Sequence, residues 1–382
     1  MSEPQPKSPN AIFIGRPGSR SRLDTPALVV DRPALDRNIA AMAAHARATG
    51  VALRPHVKTH KSVAIAQRQV AAGAHGVSCV TLGEAEIMVH AGIPGVHLTS
   101  PPVTAAKLAR LAALARAPHH GLSVVVDHAD TVVALSAMLR DAPAPLAVLV
   151  DIDAGQGRTG CSVEAAPALA RAVRAAPGLS FAGIQAYAGH LQHIPVRADR
   201  RDRSLRLADR LRGLLRQLAA DDLPAPVVTG GGTGTFDLDP EARVFTELQV
   251  GSYVFMDVDY LRAMREGRNA PPFETALFVA TAVVSTNARD YVTTDGGLKC
   301  FATDGPQPEV ASGAPPGSRY EFFGDEHGRL IVSEGSPRPA LGTIIECVTP
   351  HCDPTVNLHD WYHVVRGDTL VDVWPVDARG RR

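Results

Sequence analysis

Between residues 51 and 250 the chain keeps a regular beat in which short apolar runs alternate with stretches of helical period. The runs are VALRPHV (51–57), HGVSCV (75–80), GVHLT (95–99), LSVVV (122–126), LAVLVDI (146–152), SFAGIQA (180–186), APVVT (225–229) and TELQV (246–250). Helical period fills 104–116, 129–140, 163–176 and 199–220, and is weak only between the last two runs. Strands that alternate with helical crossovers build a parallel sheet covered by helices. With eight strands spread over about 200–250 residues, a closed (β/α)8 TIM-type barrel is the simplest arrangement. An open doubly wound sheet is the structural alternative. A further helix is expected after Pro33, with Leu35, Ile39, Met42 and Ala46 on one face and Gly50 at its end.

The beat stops near residue 270. From 274 to 374 short β-type runs alternate with turns, as in ALFVATAVVST, GTIIECVT and TLVDVW, and predict a C-terminal antiparallel β domain. The expected division is a barrel over 22–270 and a β domain over 271–382 that includes the irregular lead-in 1–21, with the boundary in Gly267–Phe273. Lys+Arg and Asp+Glu number 39 each, so charge gives no case for a nucleic acid or an anionic membrane as partner. The 5 cysteines have no paired spacing, which fits free thiols in a reducing, cytoplasmic setting. Neither an apolar leader segment nor an uninterrupted apolar run of about 18 residues is present, so neither export nor a membrane span is expected.

Barrel enzymes place their chemistry at the C-terminal ends of the strands and in the loops that follow. The first run ends in RPHVKTHK, where strand alternation sets Arg54, His56 and Lys58 on one side. A lone strand-end lysine is more often a solvated charge. One held in a barrel mouth has its pKa lowered by desolvation, which suits Schiff-base formation. Lys61 is expected on the surface, opening the next helix. The fifth run leads into DIDAGQGRTG, which offers Asp151, Asp153 and a loop arginine, Arg158, as a fixed cation. The sixth leads into QAYAGHLQHI, with Tyr187, His190 and His193, and spacing alone does not choose which histidine is a base. TGGGTGT follows the seventh run. The N–H groups around Gly231, Gly232 and Thr233 suit a phosphate, with hydroxyls from Ser252 and Tyr253 after the eighth. The pattern is not GxxxxGK[ST], which counts against a nucleotide triphosphatase. In HCDPTVNLHD, His351 and Asp353 lie two apart in an expected extended segment, with Cys352 opposite. One imidazole and one carboxylate suit Mn²⁺ or Mg²⁺ and leave positions for water and substrate. His359 and His363 are expected to be structural, and FGDEHG (323–328) to be a turn.

Taken together, LDTPALVVD, RPHVKTHK, QAYAGH, TGGGTGT, ELQVGSYVFMD and HCDPTVNL resemble the D-threonine aldolase family over residues 22–375. The resemblance implies the alanine racemase-like, fold-type III pyridoxal-phosphate architecture and a homodimer. It implies Lys58 as the cofactor lysine and Arg158 near the pyridine nitrogen. Tyr187, Gly231, Gly232, Thr233, Ser252 and Tyr253 would hold the ring or phosphate, with His193 as the base and His351 and Asp353 on a divalent metal. The implied substrate is a β-hydroxy-D-amino acid, D-threonine giving glycine and acetaldehyde. Rivals are 3-hydroxy-D-aspartate aldolase and D-serine dehydratase, which carries Cys where this chain has Asp353. Two others are of different class, a non-enzymatic pyridoxal-phosphate carrier and a cofactor-free metal hydrolase. The second domain with its metal pair argues against the carrier.

Overall fold

The computed structural model describes residues 8–118, 120–265 and 273–382. The expected boundary at Gly267–Phe273 falls, apart from Phe273, outside the described residues.

Each of the eight apolar runs becomes a strand of one sheet, although the first and last are only two residues long. With β1 (Ala27–Asp31) set aside, these are β2 (Ala52–Leu53), β3 (Val77–Cys79), β4 (Val96–Leu98), β5 (Leu122–Val126), β6 (Leu146–Asp151), β7 (Leu179–Ala186), β8 (Val227–Gly230) and β9 (Glu247–Leu248). The order is β2-β9-β8-β7-β6-β5-β4-β3, and every neighbouring pair is parallel. The ends meet through a parallel bridge between His56 and Ser78, with His75 N–H on the Leu53 carbonyl at 2.9 Å and Ser78 N–H on the Pro55 carbonyl at 2.8 Å. A nearly closed barrel results, and the open-sheet alternative is set aside. β2 is short, yet its main-chain bonding carries on past Pro55, with Arg54 N–H on the Leu248 carbonyl at 3.0 Å and His56 N–H on the Val250 carbonyl at 2.9 Å.

The helices α1 (Arg32–Thr49), α2 (Val63–Ala71), α3 (Leu82–His90), α4 (Ala105–Arg116), α5 (Ala129–Leu139), α6 (Ala166–Ala175) and α7 (Arg197–Ala220) separate the strands. α1 starts on an Asp31 side-chain cap to Ala34 N–H, has Pro33 in its first turn and ends at Gly50 with φ +73°. Its buried face carries Leu35, Ile39, Met42 and Ala46, as the periodicity predicts. Between β8 and β9 the chain makes only a 3-10 turn, Asp239–Ala242. The helical signal is weak at that link for this reason.

The second sheet contains β10 (Leu277–Ser285), β11 (Val292–Thr294), β12 (Glu309–Ser312), β13 (Arg319–Phe322), β14 (Gly328–Ile331), β15 (Ile344–Val348), β16 (Trp361–Arg366) and β17 (Thr369–Pro375). Its path is β13-β14-β11-β10-β1-β16-β17, with β15 paired to β10 and β12 to β15. β1, inside the range expected for the barrel, is instead its central strand, antiparallel to β10 and parallel to β16. The four residues Ala27–Val30 are all buried, so both faces of β1 are apolar, and such a run does not encode which sheet receives it. The lead-in from residue 8 is not a loose tail. Ser8 and Asn10 are buried against the imidazole of His363, whose Nδ1 bonds the Leu28 carbonyl at 3.0 Å.

Two short helices join the halves: α8 (Val258–Ala263), which follows the last barrel strand, and α9 (Cys352–Val356), which follows β15. Among the described residues no helix is long and apolar enough to cross a membrane.

Candidate active site

Lys58, Arg158, Tyr187, Gly231, Gly232, Thr233, Ser252 and Tyr253, together with His193, follow the C-terminal ends of parallel strands, and so share one mouth. Lys58 sits on a one-turn 3-10 helix, Val57–Thr59, that continues β2 after Pro55. It is therefore not in register with Arg54 and His56 on a strand face. Arg54 turns to Glu247, at 2.7 and 3.0 Å. His56 lies inside the barrel, 6% exposed, with Nε2 3.3 Å from Thr99 Oγ1.

Lys58 Nζ lies 3.0 Å from Asp353 Oδ2, a residue of the second domain. This contact places the His-x-Asp loop over the barrel mouth. Asp353 raises the lysine pKa against the desolvation that opposes it, so the lowered value expected of a mouth lysine is not found. Conversely, burial pushes the Asp353 carboxyl up, but Lys58 and His351 outweigh burial and hold it below the usual carboxylate range. Asp353 Oδ1 is buried and has no hydrogen-bond partner among the described residues.

The segment bearing the pair is not extended. His351 takes the N-cap position of α9 without a side-chain capping bond, and Cys352, Asp353 and Pro354 form its first turn. The cause is Asp257, whose Oδ2 accepts the Cys352 N–H at 2.9 Å, and Pro354 is tolerated so near a helix start. Cys352 is fully buried. His351 Nδ1 bonds Asp304 Oδ2 at 2.9 Å, and among the described residues Nε2 has no hydrogen-bond partner. Burial lowers the His351 pKa, but Asp353, Asp257 and Asp304 together raise it overall.

His193 Nδ1 lies 3.0 Å from Asp259 Oδ2, and its ring packs on Tyr260 with centroids 4.5 Å apart. Burial lowers its pKa, Asp259 opposes that, and the charges of His351, Lys58 and Asp353 all reach it. His190, by contrast, is exposed and makes no hydrogen bond among the described residues. Of the two histidines, His193 is thus the one placed against the charged groups of both halves.

The Arg158 guanidinium lies over the Tyr187 ring, 5.5 Å from its centroid. Its loop is tied down by the two aspartates. Asp153 Oδ1 accepts the N–H groups of Gly155, Gln156 and Gly157, and buried Asp151 accepts Thr159 Oγ1 at 2.9 Å. Burial pushes the Asp151 carboxyl up to about 6. Both therefore build the arginine loop and neither is a free mouth carboxylate.

The glycine loop is partly spoken for. Gly232 N–H reaches Thr235 Oγ1 and Gly234 N–H reaches Gln192 Oε1, so these two N–H groups are not free for a phosphate. A Cβ on Gly232 would lie 2.5 Å from Gln192 Oε1, so the glycine is needed for packing. Thr233 Oγ1 accepts the Tyr253 N–H at 3.1 Å, which joins the loops after β8 and β9 beside Ser252. The Tyr253 hydroxyl does not face this loop, because it is buried and accepts from Gln69 Nε2 at 3.0 Å. Its expected hydroxyl contact to a phosphate is not met, and only the backbone N–H of Tyr253 lies there.

Elsewhere, Lys61 is no surface residue. Its side chain is only 11% exposed, with the ammonium 2.5 Å from the fully buried Glu84, which also accepts the Val80 N–H. His359 bonds the Cys300 carbonyl at 2.9 Å, and Phe323–His327 is a plain turn with Glu326 paired to Lys299. Sequence reasoning missed Asp257, Asp259 and Asp304. The signal for the first two was Asp-x-Asp at 257 and 259, shortly after the last barrel run. Asp304, 47 residues from His351, left none.

As to fit, a reachable Lys58 amine beside the Thr233–Ser252 loops suits a phosphorylated aldehyde cofactor. The open Asp353 Oδ1 and His351 Nε2 suit a divalent cation. Among the described residues no group of three or more His, Cys, Asp or Glu side chains is arranged to hold a metal, so such an ion would rest on two protein ligands.

Residues 30–259 match the alanine racemase N-terminal domain family, and residues 276–365 a family described as "Putative serine dehydratase domain". The D-threonine aldolase of Arthrobacter sp is 42% identical over 364 residues, covering 94% of both chains. The 3-hydroxy-D-aspartate aldolase of Paracoccus denitrificans is 37% identical over 368 residues, covering 94% of this chain and 93% of its own. The crystal structure of D-threonine aldolase from Filomicrobium marinum superposes with a TM-score of 0.89 at 41% identity, covering 94% of this chain and 96% of that one. With its alanine racemase-like barrel and added β domain, the chain belongs to the D-threonine aldolase family.

Proposed function

We propose that this protein cleaves β-hydroxy-D-amino acids by a retro-aldol reaction, D-threonine giving glycine and acetaldehyde. It would do so with pyridoxal phosphate on Lys58 and a divalent cation, Mn²⁺ before Mg²⁺, on His351 and Asp353. The observation that carries this reading is the 3.0 Å approach of Lys58 Nζ to Asp353 Oδ2, which brings the cofactor lysine within one small substrate of the open metal ligands. Pyridoxal phosphate, when bound, supplies the electron sink that a carbanion at Cα requires.

The chain's own residues divide the remaining work. Gly231, Thr233 and Ser252 would hold the phosphate, and Tyr187 and Arg158 the ring. Arg158 is too basic to give up a proton, so it would leave the ring unprotonated. His351 Nε2 and Asp353 would hold a divalent cation, which would supply Lewis acidity at the β-hydroxyl. His193 Nε2 accepts the hydroxyl proton as the Cα–Cβ bond breaks. Asp304 and Asp259 stand behind the two histidines, surroundings that disfavour a substrate with a second carboxylate such as 3-hydroxy-D-aspartate.

The test is to load purified protein with pyridoxal phosphate and MnCl₂ and supply D-threonine. Equimolar acetaldehyde and glycine are expected, with loss of turnover on chelation. Lys58→Ala should lose the cofactor's near-visible absorbance. Ammonia and a keto acid from D-serine, with no aldehyde from D-threonine, would overturn the reading in favour of a dehydratase.

A further inference from the structure

The loop that carries His193 is fixed from behind. Gln192 is buried, gives its Nε2 to the Ala188 carbonyl and Thr235 Oγ1, and accepts the Gly234 N–H. The imidazole of His193 projects forward from that anchor and meets α8. The first turn of α8 offers it two contacts: Asp259 Oδ2 at 3.0 Å from Nδ1, and the Tyr260 ring packed against its face. His193 Nε2 has no protein partner among the described residues. α8 is itself fixed at its start, where Asp257 accepts the Tyr260 N–H at 2.9 Å.

We infer that Asp259 is the positioning residue of the His193 base: it holds the proton on Nδ1 and so leaves Nε2 as the acceptor aimed at substrate. This rests on the aldolase reading for what the base does, but not for the geometry. An imidazole has two tautomers in water, and a base needs the one whose lone pair faces the reacting hydroxyl. A carboxylate on the other nitrogen selects it, fixes the ring's rotation and stabilises the imidazolium that forms during turnover. The charged groups that reach the ring are Asp259 from α8, Lys58 from the barrel mouth, and His351 and Asp353 from the second domain. Asp259 is the one that stands at ion-pair distance, 3.0 Å, among the described residues. Tyr260 adds an apolar wall and no charge.

The experiment compares Asp259→Ala, Asp259→Asn and Asp259→Glu in the full chain, loaded with pyridoxal phosphate and Mn²⁺. Because positioned general bases contribute roughly 100- to 10,000-fold, Asp259→Ala should cut kcat for D-threonine by about 10- to 100-fold. KM and cofactor absorbance should stay at the wild-type level. The acid limb of its pH profile should move to lower pH, since the carboxylate favours the imidazolium. Asp259→Asn should fall between, and Asp259→Glu should recover most of kcat. In ¹⁵N-histidine spectra the His193 signal should pass from an Nδ1–H tautomer to a mixture in Asp259→Ala. Wild-type kcat and pH profile in Asp259→Ala would overturn the inference. So would a fall in kcat that tracks lost cofactor, or no recovery in Asp259→Glu. If the wild type cleaves no β-hydroxy-D-amino acid yet the tautomer responds to Asp259→Ala, the positioning stands and the aldolase reading fails.

Discussion

Asp257 accepts the Tyr260 N–H with Oδ1 and the Cys352 N–H with Oδ2, both at 2.9 Å, so one fully buried carboxylate caps two helices from different halves of the fold. The same seam continues in the main chain, where Val258 N–H bonds the Thr349 carbonyl at 3.1 Å. Asp259 and Tyr260, which hold His193, therefore move with Cys352, the residue between His351 and Asp353. Asp257→Asn keeps one acceptor and loses the other, since an amide nitrogen cannot cap. With helix caps worth about 1 kcal/mol, the loss should be modest for the fold. It should be larger for the cation, whose two ligands lose their orientation. The expected result is at least tenfold weaker Mn²⁺ binding by calorimetric titration, with cofactor absorbance unchanged. Equal affinity in the variant would show that α9 holds its shape without this cap.

The barrel was legible because its period is written twice, once in the apolar runs and once in the helices between. What stayed hidden has a common cause. β1 carries an apolar run that fits either sheet. Lys61 reads as a surface lysine because nothing local announces Glu84, 23 residues on, whose carboxylate it neutralises. The Tyr253 hydroxyl reads as a phosphate donor because its register does not reveal that Gln69, 184 residues away, already holds it. Motif residues at strand ends were found since strand ends are local. Their partners Asp304 and Asp259 act across the fold and were not.

Three buried histidines should make the protein acid-sensitive. Burial is the first cause in each case, and it pushes His60, His97 and His363 down to about 4. His97 is representative: it is 1% exposed inside the barrel, and its two nitrogens face Ser123 Oγ at 2.8 Å and Gln185 Oε1 at 3.1 Å. The unfolded chain takes up a proton on each near 6.5, and the folded chain only near 4. Stability is therefore fully present above 6.5 and falls as pH drops towards 4, by up to about 3 kcal/mol per histidine. The urea midpoint should decline through that window. His97→Gln, which cannot titrate, should flatten the decline, and an unchanged slope would exclude His97 from it.

The stretch 376–382 lies back across the barrel beside the segment that carries Lys58. Asp377 Oδ2 accepts the Val63 N–H at 2.8 Å at the start of α2, Ala378 N–H reaches the Lys61 carbonyl, and Thr81 Oγ1 bonds the Arg381 carbonyl at 3.0 Å. Gly83 in α3 is bare because this stretch passes directly over it. A Cβ there would lie 2.8 Å from Arg381 Cβ and 2.9 Å from Arg382 N. Alanine should on propensity alone improve α3 by about 1 kcal/mol. In the full chain Gly83→Ala should instead destabilise, since it displaces main chain. Once residues 380–382 are removed the obstacle is gone, and the same substitution should stabilise. Denaturant midpoints of the four proteins in this cycle measure the reversal, and a substitution effect of the same sign in both backgrounds would mean that the stretch does not press on α3 in solution.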